Sequence, residues 1–357
     1  MSQFIQLHLL TAYPPANLNR DDQGRPKTAK MGGSDRLRIS SQSLKRAWRT
    51  SDLFQSALSG HLGVRTKRLG LEAYQQLIDA DVKEKDALVW ARFVAGVFGA
   101  LKKESKEDPL QGLEIEQLVH VSPTERQAVH ALLGRLIEEQ REPEKAELDL
   151  LRQSNQAADI ALFGRMLASS PKHNVEAACQ VAHAISVHPV VIEDDYFTAV
   201  DDLNDRSVDA GAAHIGETAF AAGLFYSYIC INKTLLVDNL GGGAEGKVLA
   251  DRAVAALTEA AIKEPPSGKQ NSFGSRAYAS YVLAESGEQQ PRSLAAAFLK
   301  AINHRDSEDF VVDAIAALRE QRDAFDQVYG KCAEGWVELD VPARQGSLKE
   351  LLAFVSE

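Results

Sequence analysis

Twelve residues near the start of the chain, RISSQSLKRAWR (residues 38–49), concentrate basic side chains on a pattern typical of a helix. On a helix that begins at Ser41, four polar side chains share an arc of about 100°: Gln42, Lys45, Arg46 and Arg49. Leu44 and Trp48 fall on the opposite side, where an apolar stripe would face a core. The basic stripe is therefore predicted to lie on the surface.

Cations in the first turns of a helix gain nothing from the helix dipole, which favours negative charge there. An anion bound at this helix start would combine the free backbone N–H groups, the Ser40 and Ser41 hydroxyls and the basic side chains. The preceding loop adds six further cations: Arg20, Arg25, Lys27, Lys30, Arg36 and Arg38. The pattern predicts a site for a phosphate backbone, and its alternative is a solvated basic face.

The overall charge does not oppose this prediction. The chain has 357 residues and a formal net charge of −10, but its first 68 residues carry 12 Lys plus Arg against 4 Asp plus Glu. Because salt screens distant charges over about 10 Å, an acidic protein can bind a polyanion through one basic surface.

Hydrophobic patterns predict an α+β fold with the element order βαββαβ, which is the RRM-like (ferredoxin-like) plan. The predicted core elements are strand 3–12 (ended by Pro14 and Pro15), helix 41–57, strands 178–192 and 220–232, helix 247–263, and strand 276–285. Residues 60 to about 172 form a helical insertion, and a long excursion separates the second and third strands. Helices are also predicted over residues 293–302 and 310–329. No aromatic RNP1 motif is visible, so RNA contacts would come from loops and helix ends.

Other chemistry finds little support in the sequence. Cys179, Cys230 and Cys332 show no CxxC spacing, which indicates a reducing compartment without a disulfide framework. His173, Cys179, His183 and His188 lack the second tight pair of a zinc site. The apolar run 87–101 is too short to span a membrane, and the N-terminus reads as a strand, not a signal peptide.

Two alternatives to a non-catalytic binding role remain open. The acidic residues 193–205 permit metal-dependent nuclease chemistry. A resemblance to the backbone subunits of type III CRISPR complexes, which cut target RNA with an aspartate, would imply a metal-dependent RNase with Asp35 as the nearest candidate. A stand-alone RNA-binding protein is the second alternative.

The run LNRDDQGRPKTAKMGGSDRLRISSQSLKRAWR strongly resembles the start of the CasC-type backbone subunit of the type I-E CRISPR Cascade complex. DIALFGRM (159–166) resembles the finger segment of that family, and AHAISVH, YFTAVDDL and GAAHIG resemble its central sheet and thumb. The matches keep their order across about 230 residues and are weak beyond Leu235.

The resemblance implies an RRM-like palm that carries helical fingers and a thumb β-hairpin. It places the first palm part at 1–59, the fingers at 60–175, a palm strand at 176–193, the thumb at 194–220, and the palm completion, web loop and C-terminal helices at 221–357. Copies of the chain would stack along CRISPR RNA, each thumb kinking the RNA held by its neighbour, so that the bases between kinks pair with target DNA. The further partners would be subunits of the CasA, CasB, CasD and CasE types. The protein would act in antiviral defence in the cytoplasm and would not bind a membrane.

The resemblance also implies which residues contact RNA and which form the thumb. It implies no catalytic residue and no cofactor. The RNA-binding positions are Asn19, Arg20, Lys27, Ser40, Gln42, Lys45, Arg46, Arg49, Gly164, Arg165 and Met166. The thumb positions are Phe197, Asp201, Asp202, Leu203, His214, Ile215 and Gly216. Met166 would pack against bases at the kink, since an apolar wedge can separate stacked bases.

Overall fold

A computed structural model describes residues 2–105, 107–152, 156–199, 214–303, 305 and 307–357, without the side chains of residues 214 and 215. The chain divides into two compact units. Unit 1 comprises Met1–Phe54, Val181–Cys230 and Val254–Glu357, and unit 2 comprises Gln55–Gln180 and Ile231–Ala253. Along these described ranges, no helix is long and apolar enough to cross a membrane.

The strands of the described residues are β1 Phe4–Ala16, β2 Thr28–Met31, β3 Ser34–Ile39, β4 Val64–Thr66, β5 Val119–Val121, β6 Cys179–Val181, β7 Ala184–Ser186, β8 Glu193–Ala199, β9 His214–Asn232, β10 Tyr281–Gly287 and β11 Gly335–Asp340. The α-helices are α1 Ser41–Arg49, α2 Asp52–Ala57, α3 Leu69–Asp79, α4 Glu84–Phe98, α5 Pro123–Glu139, α6 Ala158–Phe163, α7 Lys233–Asn239, α8 Gly243–Lys263, α9 Gln270–Phe273, α10 Phe310–Tyr329 and α11 Leu348–Ser356.

Unit 1 is built on a sheet with the strand order β11-β10-β1-β9-β7-β3-β2, and β8 also pairs with β9. β1 and β10 are antiparallel, in register from Phe4 opposite Gly287 to Leu10 opposite Tyr281. β10–β11, β3–β7, β7–β9 and β8–β9 are antiparallel as well. The four strands predicted for the core are β1, β7, β9 and β10, which are neighbours in the order β10-β1-β9-β7.

Several predicted boundaries are wrong. Pro14 and Pro15 do not end β1, which continues to Ala16, because the fixed φ of proline suits a strand wherever its missing N–H has no ladder partner. Residues 178–192, predicted to be one strand, form only the two short strands β6 and β7.

The predicted helix 41–57 is broken between α1 and α2 by two hydroxyl groups. Thr50 Oγ1 donates to the Arg46 carbonyl at 2.8 Å, and Ser51 Oγ donates to the Trp48 carbonyl at 2.8 Å. Ser51 Oγ also accepts a hydrogen bond from the Phe54 N–H at 3.2 Å. Such side chains compete with the helical backbone for its own groups, so the chain turns there.

The segment 14–36 is predicted to be a loop and is followed by a predicted short strand at 37–40; in the structure this region contains the β2–β3 hairpin, whose β3 begins earlier, at Ser34. Gly32 and Gly33, with φ of 58° and 81°, form its two-residue turn, and positive φ at both positions is the geometry of a tight hairpin turn. A Cβ on Gly32 would also lie 1.6 Å from the Leu299 carbonyl oxygen.

A helix predicted over residues 293–302 is reduced to a 3₁₀ turn, Ala295–Phe298. The helical hydrogen bond from the Ile302 N–H to the Phe298 carbonyl is replaced by two tertiary bonds. Arg36 Nη2 donates to the Phe298 carbonyl at 2.9 Å, and the Ile302 N–H donates to the Val187 carbonyl at 3.0 Å. Long-range partners therefore override the local helix propensity.

A buried polar network joins β1, β9 and β10 in unit 1. The imidazole of His8, which is fully buried, contacts the Tyr226 hydroxyl at 2.9 Å and the Glu285 carboxylate at 3.1 Å. Arg292 binds both oxygens of Glu285 and lies 3.5 Å from Asp326. Burial lowers the pKa of His8, which disfavours a charged imidazole, and Arg292 is the cation paired with Glu285.

Unit 2 is largely helical, as predicted for the insertion. α3, α4 and α5 pack around one apolar core that includes Trp90, Phe98 and Leu133. α5 begins with a capping box in which the Ser122 hydroxyl accepts from the Glu125 N–H and the Glu125 carboxylate accepts from the Ser122 N–H.

Candidate nucleic-acid interface

The two-faced helix predicted from the sequence is α1. Ser40 caps its start by accepting a hydrogen bond from the Ser43 N–H, and Leu44 and Trp48 are buried. Gln42 and Arg46 are exposed, and Lys45 and Arg49 are partly exposed. α1 therefore presents its basic face outward and is anchored in unit 1 by its apolar face.

The backbone at the start of α1 is less open to an anion than predicted. The Ser41 N–H donates to His183 Nδ1 at 3.0 Å, and Ser43 N–H is taken by the Ser40 cap. Burial, followed by the charges of Arg38 and Lys27, lowers the pKa of His183, which is the direction that suits a ring nitrogen accepting a hydrogen bond. The Ser41 and Ser43 N–H groups therefore already have partners within unit 1, and an anion at this helix start, which stays a prediction, would depend more on the basic side chains.

Asn19 connects the preceding loop to α1. Its side-chain oxygen accepts from the Ser40 N–H at 2.9 Å, and its carbonyl accepts from the Lys27 N–H at 2.8 Å. The Lys27 carbonyl in turn accepts from the Arg38 N–H at 2.8 Å. Asn19 thus sets the position of the loop relative to the helix start.

The loop and the helix line one groove of about 600 Å³. Arg20 and Arg46 contribute the two guanidinium groups, and Ser43 and Thr50 contribute hydroxyls. Asp21 and Asp22 also line the groove, and the Asp21 carboxylate accepts hydrogen bonds from backbone N–H groups of its own loop. The structure therefore joins residues far apart in sequence into one surface that can hold a phosphate backbone, which we call the Arg20–Arg46 groove.

Ser267 and Gly268 complete the Arg20–Arg46 groove and were not predicted. Gly268 packs so closely that a Cβ there would lie 2.2 Å from the Leu18 carbonyl oxygen. The only sequence signal was the irregular, partly basic composition of residues 263–276.

A second groove of about 400 Å³ shares Arg20 with the first and has mixed charge. Arg25 forms an ion pair with Asp194 at 3.1 Å, and Lys269 Nζ donates to the Thr218 hydroxyl at 2.6 Å. Both grooves thus combine cations with carboxylates, and in the second groove Arg25 and Lys269 already have side-chain partners within unit 1.

Arg36 does not belong to the basic surface predicted for the loop. It is fully buried, and its Nη1 and Nη2 atoms donate to the carbonyls of Ser186 and Phe298, each at 2.9 Å. Its inclusion among the phosphate-binding cations was wrong, because alternation along β3 turns this side chain into the unit.

β8 and the first part of β9 form an antiparallel hairpin stem in the region predicted to be the thumb. Phe197 pairs with Gly216, where a Cβ would lie 2.3 Å from the Phe197 ring. His214 and Ile215 are placed by backbone register opposite Ala199 and Thr198. The predicted residues Asp201, Asp202 and Leu203 lie outside the described residues.

The predicted finger residues Gly164, Arg165 and Met166 lie in unit 2, directly after α6. Met166 is 83% exposed, the most exposed large apolar side chain among those described. Arg165 is buried and ion-paired to Glu125 at 2.7 Å, and its backbone pairs with Val175. The Arg165 side chain is therefore a structural group, whereas Met166 is fully available for contact.

In the described part of the chain, no group of three or more His, Cys, Asp or Glu side chains could hold a metal ion. The three cysteines are free and buried. Asp35 is exposed in the β2–β3 hairpin, opposite Lys30.

Comparisons with known proteins place these observations in a family. A family model described as "CT1975-like protein" matches residues 5–352. A chain of a structure described as "CRISPR RNA-guided surveillance complex, pre-nicking" is 28% identical with a TM-score of 0.84, covering 99% of both chains. A chain of a second such complex, 24% identical with a TM-score of 0.73 over 99% of both chains, shares the fold. No curated protein matches. The α+β architecture and the resemblance to a Cascade subunit are confirmed.

Proposed function

The chain belongs to the CT1975-like protein family, and from this premise we propose that it is a non-catalytic RNA-binding backbone subunit of a type I-E CRISPR Cascade complex. Copies of it assemble along the CRISPR RNA, kink the RNA at regular intervals and leave the intervening bases free to pair with target DNA. The observation that carries the proposal is the match over 99% of both chains to a chain of an RNA-guided surveillance complex.

The Arg20–Arg46 groove supports the RNA-binding part of the proposal. The guanidinium groups of Arg20 and Arg46 line it, and guanidinium groups suit contacts to phosphates, which position an RNA without selecting its sequence. Sequence selection is then left to base pairing between guide and target.

The strand order β10-β1-β9-β7 supports an RRM-like palm in this proposal. The first predicted strand lies between the fourth and the third, and the second is at the edge, as in a split βαβ arrangement. The β8–β9 stem serves as the base of the thumb that closes over the neighbour's RNA.

The proposal includes the setting of the complex. The partners are CRISPR RNA, the target DNA strand, further copies of this chain and subunits of the CasA, CasB, CasD and CasE types. The complex acts in the cytoplasm in antiviral defence, and the chain itself needs no cofactor.

Incubation of the assembled complex with guide-matched RNA and Mg²⁺ tests the non-catalytic role. We expect the RNA to remain intact, because Asp35 lies beside Lys30 in a hairpin and the described residues offer no metal-binding cluster around it. Regularly spaced cuts that disappear in Asp35→Ala, and persist in the control Asp313→Ala at an exposed position of α10, would contradict the proposal and identify a metal-dependent RNase.

A further inference from the structure

The Met166 side chain is held outward by buried anchors on both sides. Arg165 and Leu167 are 6% and 2% exposed, whereas Met166 between them is 83% exposed. The Leu167 N–H donates to Asn174 Oδ1 at 2.6 Å, and Arg165 exchanges two backbone hydrogen bonds with Val175. Leu118, which is 56% exposed, lines a cavity together with Met166, so the methionine belongs to an exposed apolar surface and is not a scattered side chain.

The guanidinium of Arg165 joins four separate segments of unit 2. Nη1 donates to both oxygens of the Glu125 carboxylate, at 2.7 and 2.9 Å, and to the His120 carbonyl at 3.3 Å. Nη2 donates to the carbonyls of Arg152 and His173 at 3.1 and 3.2 Å. A planar fork with this many fixed partners allows the preceding and following backbone little freedom.

The Glu125 carboxylate is also held by hydrogen bonds from groups other than Arg165. Its carboxylate accepts from the Ser122 N–H at 2.9 Å, within the capping box of α5, and from the Arg152 N–H at 3.0 Å. Its side chain is fully buried. The ion pair therefore connects Arg165 to the first turn of α5, and the position of α5 determines the position of the Arg165 guanidinium.

Gly164 allows the chain to leave α6 at this point. Its φ is +80°, and a Cβ would lie 3.1 Å from the Val175 carbonyl oxygen. The helix thus ends where Arg165 can turn inward and Met166 outward.

We propose that the Arg165–Glu125 ion pair is a positioning device that fixes Met166 as a rigid wedge for separating stacked RNA bases. The inference rests on the proposed function, since the wedge acts on the RNA that the subunit binds. Rigidity matters because a mobile methionine would lose conformational entropy on insertion, and unstacking itself already costs free energy.

The test uses complexes assembled on guide RNAs that carry 2-aminopurine at one position each, moved along the spacer. The fluorescence of 2-aminopurine rises where a base is unstacked, so the wild-type complex should give peaks at regular intervals. The variants are Met166→Ala, Glu125→Gln and the double variant. Leu133→Ala, in the buried face of the same helix, is the control for general destabilisation of unit 2.

We expect Met166→Ala and Glu125→Gln each to lower the peaks to the level of stacked positions, and the double variant to lower them no further. Leu133→Ala should keep the peaks. Trypsin cleavage after Arg165 should be about tenfold or more faster in Glu125→Gln, because a buried arginine that loses its counterion opens more readily. If Glu125→Gln does not accumulate, Arg165→Lys keeps the charge but loses the fork and should give the same loss.

Peaks that persist in Glu125→Gln or Arg165→Lys, while Met166→Ala abolishes them, would overturn the positioning role alone. Peaks that persist in Met166→Ala would instead contradict the wedge in the proposed function.

Discussion

Replacing Arg20 and Arg46 together by alanine is expected to weaken RNA binding about a hundredfold at low salt. The two guanidinium groups line one groove although 26 positions separate them in sequence. A hydrogen bond to a charged group contributes at least about 1.5 kcal/mol, and 1.4 kcal/mol corresponds to a factor of ten in affinity. The two losses together give the expected hundredfold.

The salt dependence of binding is the sharper readout of the same variant. Each phosphate neutralised on a single strand contributes about −0.7 to the slope of log affinity against log salt. Loss of two contacts should therefore make the slope less steep by about 1.4. Lys331→Ala/Lys349→Ala is the matched control, since it removes two exposed charges that do not line the groove. Equal slope changes in both pairs would show that only net charge matters and would remove the groove from the account.

The second large effect concerns stability: Arg292→Met should destabilise unit 1 by about 3–5 kcal/mol, the usual result of removing one partner of a buried ion pair. Burial by itself would raise the pKa of Glu285, but hydrogen bonds from His8 and Arg292 outweigh it and lower the pKa to about 2. A shift from the reference value of about 4.3 corresponds to about 3 kcal/mol, in agreement with that range.

The sign of the pH dependence follows from the lowered pKa of Glu285. The contribution of ionised Glu285 to the free energy of unfolding is fully present above about pH 4.3 and is lost as the pH falls towards 2. The difference between wild type and Arg292→Met should therefore shrink in that window. Hydrogen exchange of the β1 and β10 amides measures this stability difference within unit 1. It does not require that both units unfold in a single transition.

Two variants separate the buried pair from a general loss of charge. Glu285→Gln/Arg292→Met should recover part of the stability, because no buried charge is left unpaired. Arg319→Met should cost less than Arg292→Met, since Arg319 is 37% exposed against 17% for Arg292. Of the partners of Arg319, Glu338 keeps a second arginine, Arg322, at 3.6 Å, and Asp340 keeps a hydrogen bond from the Ala343 N–H at 2.9 Å. An equal or larger loss in Arg319→Met would contradict this explanation.

The helices that follow from hydrophobic periodicity along the sequence were predicted. The two faces of α1 follow from a 3.6-residue period, and Leu44 and Trp48 are buried as that period requires. The boundaries of α10 match residues 310–329 for the same reason. Of the β2–β3 hairpin, only the end of β3 was predicted, as a short strand at 37–40, although the Gly32–Gly33 pair is a turn signal that could have located both strands.

Features set by distant contacts could not be predicted from the residues alone. The helix expected at 293–302 was lost because Arg36 takes the Phe298 carbonyl, and that bond also removed Arg36 from the basic surface. Ser267 and Gly268 enter the groove only through the packing of Gly268 on Leu18. In the candidate site, sequence spacing identified the charged residues but not which of them have buried partners, as Arg165 illustrates.

The length of the RNA that co-purifies with the chain, expressed together with the other subunits and a CRISPR array, tests the central claim most directly. A scaffold that assembles along a guide should carry RNA of one uniform length, and the mass of the particle should correspond to several copies of this chain per RNA. RNA of mixed cellular lengths, or a single copy of the chain on a spacer-length RNA in the presence of the other subunits, would contradict the account.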